Sequence, residues 1–533
     1  RWAEQKNLQM GEIAFRRYLR IVPASSRAHY NLAHLLAELG RKEDAERHYR
    51  ESIRINPSNA AAHSNFGLLL SDLARNEEAL REYGEAIRIN PDLDAAHGNL
   101  GLLLSHLGRH EEAEREYRKA ISINPAAGAH HVNLALLLLV DPRRNEEVEK
   151  ECREAIAADP DLGEAHFTLA VVLQRLGRNE EAENQYREGL RLKPGDSEGR
   201  VGLGSLLMKL GRKDEAETEF RKALQASPRS ALAHSRLAFL LASLGRTEEA
   251  EAKYKDAIRL NPNDFQYHFN LGILLRELDR NEEAEKEYRE AIRLGPDQAD
   301  AHSDLGIALA KLGRKEEAEN EYRQAMKIDP LGYKAHNNLG LLFADMGRNK
   351  EAENEYGKAI TLNQSDAGVH HNLAKVLVVS GRSEEAVTEF REALLRTPDL
   401  EVAHFELGNL LSDLGRSDEA VTEFREAIRT NPASLETHFN LANELLVLGR
   451  KEEAEKEYRE AIRIDSNHAA PHVNLGSLLS DLGRKEEAER EYREASRVTS
   501  GYVAAHFNLG RQLRELGRNE EAEQEFNTAR DLS

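Results

Sequence analysis

A single cysteine in 533 residues, Cys152, excludes an intramolecular disulfide framework and any cysteine-based zinc site. No apolar run approaches the ~18 residues that a membrane span requires, so no membrane partner is expected. Basic residues are outnumbered, 74 against 94 acidic, and the formal charge of −20 argues against nucleic acid or an anionic surface as a partner. Motifs for common chemistry are also missing: there is no HExxH, GxxxxGK[ST], GxSxG or GxGxxG. The acidic groups Asp92-Leu93-Asp94 and Asp159-Pro160-Asp161 fall between periodic segments, where Asp serves as a turn former. Neither an enzyme, a cofactor nor a metal is expected. The chain opens at Arg1 without Met and in mid-pattern, so an upstream segment is expected and the compartment stays open, secretion included.

What the chain does have is one sentence rewritten every 34 residues. Residues 60–93 read AAAHSNFGLLLSDLARNEEALREYGEAIRINPDL, and 94–127 read DAAHGNLGLLLSHLGRHEEAEREYRKAISINPAA. Fifteen such units run from 26 to 533, and one of them, 128–162, has 35 residues. Residues 1–25 read as a lone helix from Trp2 to about Ile21, closed by Pro23. A period of this length means stacked supersecondary units that bury a shared core, an α-solenoid.

Within 94–127, Ala96, Leu100, Leu103, Leu104 and Leu107 recur at helical spacing, and Gly108 stops them as a C-terminal cap would. Glu111-Glu112 open a second helix whose stripe is Ala113, Tyr117, Ala120 and Ile121, and Asn124-Pro125 ends it. The place of Gly101 is always Gly or Ala, which permits close helix approach, while Tyr117 fills the hollow. Cys152 stands in the Tyr place of its unit and reads as a small buried hydrophobe. The Glu/Arg text of the second helix, with pairs such as Glu114 and Arg118, reads as a solvated outer face.

Leu-Gly, Ala, Tyr/Phe, Ala and Pro at these intervals resemble the tetratricopeptide repeat over essentially the whole chain. The resemblance implies an all-α, right-handed superhelix of helix pairs whose first helices line a concave groove that binds a peptide or partner protein. The AHxNLA runs are also similar to the superhelical region of O-linked N-acetylglucosamine transferases, here without a catalytic domain. One place departs from the family, where a bulky aromatic gives way to histidine.

Fourteen of the 21 histidines occupy that place, from His29 and His63 through His472 and His506, with only Arg200 interrupting. Equivalent places are about one helix-packing distance apart, too far for two imidazoles to share a metal at ~2.0–2.1 Å each. An interface-filling imidazole, half packed and half hydrogen-bonded, is the expectation, with some pH dependence of stability as the alternative.

Two residues later stands a row of asparagines: Asn31, Asn65, Asn99, Asn133, Asn270, Asn338, Asn372, Asn440, Asn474 and Asn508. Asn is a poor interior helix residue, and a carboxamide can both donate to and accept from an extended backbone. The row is therefore a candidate peptide grip; the competing reading is that each Asn bonds the neighbouring unit and sets the stacking angle. Aromatics after the ladder histidine, such as Tyr30, Phe167 and Phe405, either meet a ligand or pack on the adjacent helix.

Three functions remain. The first is a non-catalytic interaction scaffold. The second is a protein that self-assembles through its terminal units into an oligomer or filament, with Trp2, Phe15, Tyr18 and Phe526 as contact residues. The third is the targeting arm of a larger glycosyltransferase.

Overall fold

The computed structural model describes residues 2–533, and their side chains from residue 9 onward. Among these residues there are thirty-one α-helices, one 3₁₀ turn and no strand. The helix Trp2–Ile21 comes first, and fifteen helix pairs follow, typified by Ala60–Asp72 and Asn76–Ile89. The chain divides into two bodies, Arg1–Asn270 and Leu271–Ser533. Each is a stack in which a repeat's two helices fold back on each other and the next first helix packs against them.

The core of each body is the expected one, with one amendment. In repeat 94–127, Ala96, Leu103, Leu104, Ala113, Tyr117 and Ala120 are all buried. Leu107 is not: it is the C-cap residue of its helix and is 39% exposed. The buried rings rest on glycine. A Cβ on Gly101 would lie 2.9 Å from the Tyr117 ring, and one on Gly340 would lie 2.7 Å from that of Tyr356. Each such ring removes about 150–250 Å² from water, worth roughly 4–6 kcal/mol at ~25 cal/mol per Å² as an upper estimate. In repeat 128–162 the smaller Cys152 is fully buried opposite a larger Val148, which replaces the usual Ala.

The turn between paired helices needs a left-handed residue. Twelve repeats supply glycine with φ between 70° and 79°, whereas Ala74 (57°) and Asp279 (58°) take the conformation without one. The long repeat avoids it: the first helix stops at Leu138, and the 3₁₀ turn Pro142–Arg144 absorbs the extra residue. Asp141 caps that turn by accepting from the Arg143 N–H.

Second helices have no side-chain cap, and an arginine stands at each N-cap. Arg75 grips Glu78 through Nε and Nη2 at 2.7 Å and reaches back with Nη1 to Glu46 of the preceding repeat at 2.8 Å. Arg178, Arg212 and Arg518 repeat the pattern on Glu149, Glu183 and Glu489. Leu80 and Val421 occupy the acceptor place for Arg109 and Arg450, which bond only Glu112 and Glu453 within their own repeats. The face read as solvated thus also stitches repeats together, each stitch being individually weak.

At the first helix, Phe15 and Leu19 pack into the core of the opening repeats, whereas Ile13 (53%) and Tyr18 (49%) face outward. Phe526 packs against the core of the second body and lies 5.7 Å from Phe507. Of the four residues expected to make self-assembly contacts, Phe15 and Phe526 are therefore turned into their own stack. The side chain of Trp2 lies outside the described residues.

Candidate functional site: the first-helix face

Every asparagine of the row is half-buried, and five of them donate to the repeat before. Asn65 Nδ2 reaches the Tyr30 hydroxyl at 2.9 Å, Asn338 reaches Ser303 Oγ at 3.2 Å and Asn372 reaches Asn337 Oδ1 at 3.1 Å. Asn440 and Asn474 reach Asn409 and Asn443 Oδ1 at 2.9 and 3.0 Å. Asn270 instead accepts from Gln266 in its own helix. Asn31, Asn99, Asn133 and Asn508 make no side-chain hydrogen bond among the described residues. One N–H of each donor is thus spent on stacking. The Oδ1 atoms of Asn338, Asn372, Asn440 and Asn474 accept no hydrogen bond among the described residues.

The departures from asparagine are internally compensated. Thr168 is buried and returns its hydroxyl to the Glu164 carbonyl at 2.9 Å. A Cβ on Gly202 would meet the Tyr186 hydroxyl at 2.9 Å, so the phenol fills that place. Asp304 lies 3.9 Å from Arg276, and burial raises its carboxyl above the usual range. Glu406 lies 2.9 Å from His371 Nε2, out of line for a hydrogen bond, and 3.4 Å from Lys375 Nζ. Arg236 is exposed and stands in the row as a cation.

Three residues further along each first helix, the face changes character with position in the chain. Leu68, Leu102, Leu136, Phe239 and Leu341 are 37–49% exposed there. From the repeat at 367 onward the same place holds Lys375, Asn409, Asn443, Ser477 and Arg511. The sequence carries this gradient openly, yet a reading of one repeat at a time misses it. Two aromatics after the ladder histidine lean on rings of their own repeat: Phe405 on Phe424 at 6.2 Å and Phe439 on Tyr458 at 6.0 Å.

Behind the asparagines, the ladder histidines are buried or half-buried, and seven of them meet a glutamate at one nitrogen and a carbonyl at the other. Nδ1 lies 2.6–2.7 Å from a glutamate carboxylate of the second helix in His63–Glu82, His97–Glu116, His131–Glu151, His404–Glu423, His438–Glu457, His472–Glu491 and His506–Glu525. In the same seven, Nε2 lies 2.9–3.3 Å from a carbonyl oxygen of the preceding turn, that of Pro57 for His63 and Pro398 for His404. This glutamate, just before the Tyr/Phe place, was read as outer surface; its signal was the spacing from each histidine, 19 residues in six of the seven and 20 in the long repeat, where Glu151 precedes Cys152. No group of three potential metal ligands occurs among the described residues.

Models described as tetratricopeptide repeat match residues 26–59, 60–93, 95–126 and 367–392. One further model with the same description matches 167–231, 235–299, 303–368, 405–469 and 473–533, more than half of the chain by itself. The chain belongs to the tetratricopeptide repeat family. Repeats of this family are generally non-catalytic, and the chain is a protein-interaction scaffold in that general sense. The APC/C hetero-tetramer Cut9–Hcn1 is 16% identical, with 90% of this chain and 94% of that one covered at a TM-score of 0.46. A tetratricopeptide repeat protein from Parabacteroides merdae is 20% identical, covering 47% and 98% at 0.40. YrrB, described as having an unusual peptide-binding site, is 21% identical, covering 34% and 95% at 0.31. No curated protein matches. No described helix is long and apolar enough to cross a membrane.

Proposed function

We propose that the first-helix face receives an extended segment of a partner protein, with the asparagine row as its backbone grip. The observation that supports this is the division of labour within each carboxamide. Nδ2 is committed along the stack, while Oδ1 of Asn338, Asn372, Asn440 and Asn474 is left to accept from a ligand. Backbone N–H groups are the donors that every extended segment carries regardless of sequence. The face beside the row would then select side chains, apolar ones along Leu68, Leu102 and Leu136 and polar ones along Ser477 and Arg511.

The test needs two sets of variants, because the row also stacks repeats. One set changes Asn338, Asn372, Asn440 and Asn474 to Ala. The other changes the acceptors Ser303, Asn337, Asn409 and Asn443 to Ala, breaking the same inter-repeat bonds while leaving the row intact. Each lost neutral bond costs about 0.5–1.5 kcal/mol, so both sets should loosen the stack alike. On an array of short unstructured peptides, loss of capture by the first set alone supports the grip. Equal loss by both sets leaves only the stacking role.

Self-association through terminal repeats is a second reading. It is favoured by exposed Met10 (65%), Ile13 (53%) and Ile21 (80%) on the first helix and by Phe507 (53%) on the last first-helix face. Exposed apolar groups gathered on one face mark contact surfaces. Sedimentation that stays monomeric up to high concentration would refute it.

A further inference from the structure

The seven histidines held between a glutamate and a turn carbonyl pose a donor problem. A carbonyl oxygen only accepts, and so does an ionised carboxylate. A neutral imidazole has one N–H, so one of its nitrogens would present a lone pair to an oxygen lone pair at hydrogen-bond distance. The imidazoles are largely shielded from water, most completely in His131–Glu151, so that mismatch is costly.

The one interrupting residue shows what the place demands. Arg200 sends Nη1 to Glu219 and Nη2 to the Pro194 carbonyl, both at 2.7 Å, so a permanent cation with two donors meets the same two acceptors. The first repeat provides the converse. His48 replaces the glutamate, and His29 Nδ1 faces His48 Nδ1 at 2.9 Å while its Nε2 lies 3.0 Å from the Pro23 carbonyl. Two neutral rings satisfy that arrangement, and burial, with the adjacent His29 adding to it, holds His48 down to about 4.

We propose that the histidine–glutamate–carbonyl clamps of His63, His131 and His404 each hold one extra proton, making the histidine an imidazolium that ties its helix to the preceding turn until that proton leaves as pH rises. The charged surroundings of the best-defined clamps agree. His63 faces Glu82 and Glu85, the latter also paired with Arg88. His131 faces Glu151 and Glu154, and His404 faces Glu423 and Glu426, the latter also paired with Arg429. Hydrogen bonding to Glu82 and Glu151 raises His63 and His131 above the ordinary value, against the opposing effect of burial. At His404 burial is the largest influence and lowers the value, but Glu423 and the Pro398 carbonyl outweigh it, so the net direction is again upward.

The sign follows from that direction. A histidine raised in the folded state contributes its stability fully below the ordinary value near 6.5. The contribution is lost as pH rises through the folded value. The first contact to fail is the one to the carbonyl, because Nδ1–H can still donate to the carboxylate after Nε2 has lost its proton.

The decisive measurement is histidine C2–H exchange by mass spectrometry on the full chain across pH. His63, His131 and His404 are expected to ionise above the ordinary histidine value and His48 below it. Ionisation of the three at or below the ordinary value overturns the proposal. A second arm copies Arg200 with His63→Arg, His131→Arg and His404→Arg together. In the native chain, amide exchange around residues 57, 125 and 398, corrected for intrinsic base catalysis, should rise by up to about tenfold per pH unit between the ordinary histidine value and the folded value, and then level off. The triple variant should show no such rise there. A rise equal to that of the native chain refutes the proton's role, and if the variant does not fold, the C2–H titration still decides.

Discussion

Phe167 offers a sharp test of how side-chain volume is traded between repeats. Its ring lies between the second helix of its own repeat and the next first helix, where Gly189 and Gly199 stand. A Cβ on Gly189 would come within 2.5 Å of the ring, and one on Gly199 within 2.4 Å. The following repeat has Ala223 and Ala233 at these two places. Where Phe405 and Phe439 follow the ladder histidine, each leans on the ring of its own second helix instead. Phe167 has therefore exchanged a lateral contact for an inserted one, and two missing methyl groups make the room.

The perturbation is Gly189→Ala, made with and without Phe167→Ala. Gly189 lies inside the helix Asn179–Leu192, where alanine is favoured over glycine by about 1 kcal/mol. With Phe167 present, the new methyl overpacks the ring at a cost of about 1–3 kcal/mol. The net effect is a change between roughly zero and 2 kcal/mol destabilising. With Phe167→Ala the space is open, and the same substitution should stabilise by about 1 kcal/mol. The coupling is thus about 1–3 kcal/mol, as for residues in contact. A long repeat array does not unfold in two states, so the assay is native-state amide exchange resolved over 163–209. Equal stabilisation by Gly189→Ala in both backgrounds would show that the ring does not occupy this gap and would refute the reasoning.

The fold was legible because one period of helical spacing recurs fifteen times, with a turn glycine in twelve repeats and a small residue opposite the ring place throughout. Local readings went wrong where a residue's fate depends on how a helix ends, pairs or stacks. Leu107 fits the helical stripe, yet it closes the helix and stays exposed. Glu82 and Glu116 look solvated on a helical wheel, but pairing of helices brings them onto His63 and His97, 19 residues away. Arg75 and Glu46 are 29 residues apart and meet only once stacking is fixed. The asparagine row was visible as a row. Which of its atoms remain for a ligand was not, since the direction of each Nδ2 follows from the register between neighbouring first helices.

Three further outcomes follow from the geometry. Ala74→Gly should stabilise its repeat by about 1 kcal/mol, because Ala74 holds φ at 57° where most turns have glycine; slower amide exchange in 60–93 checks it, and no change would mean the turn is unstrained. Burial pushes the Cys152 thiol up to about 12, so a thiol reagent at pH 8 should label the native chain only as fast as it opens, while rapid labelling would contradict the packing. The acid limb centres on Glu114, held down at about 2 chiefly by its hydrogen bonds to Arg144, with Arg118 adding to them. A carboxylate lowered in the folded state contributes fully above its ordinary value near 4.5, and the contribution fades as pH falls through the folded value. Its Arg144 contact is a bond between consecutive second helices, so what fades is the junction of repeats 94–127 and 128–162. Glu114→Gln removes the titration but also weakens the junction at neutral pH. Exchange across 110–158 should therefore start faster in the variant at pH 7 and converge with the native chain near pH 2. Curves that stay parallel over that interval would show that Glu114 does not carry the acid response.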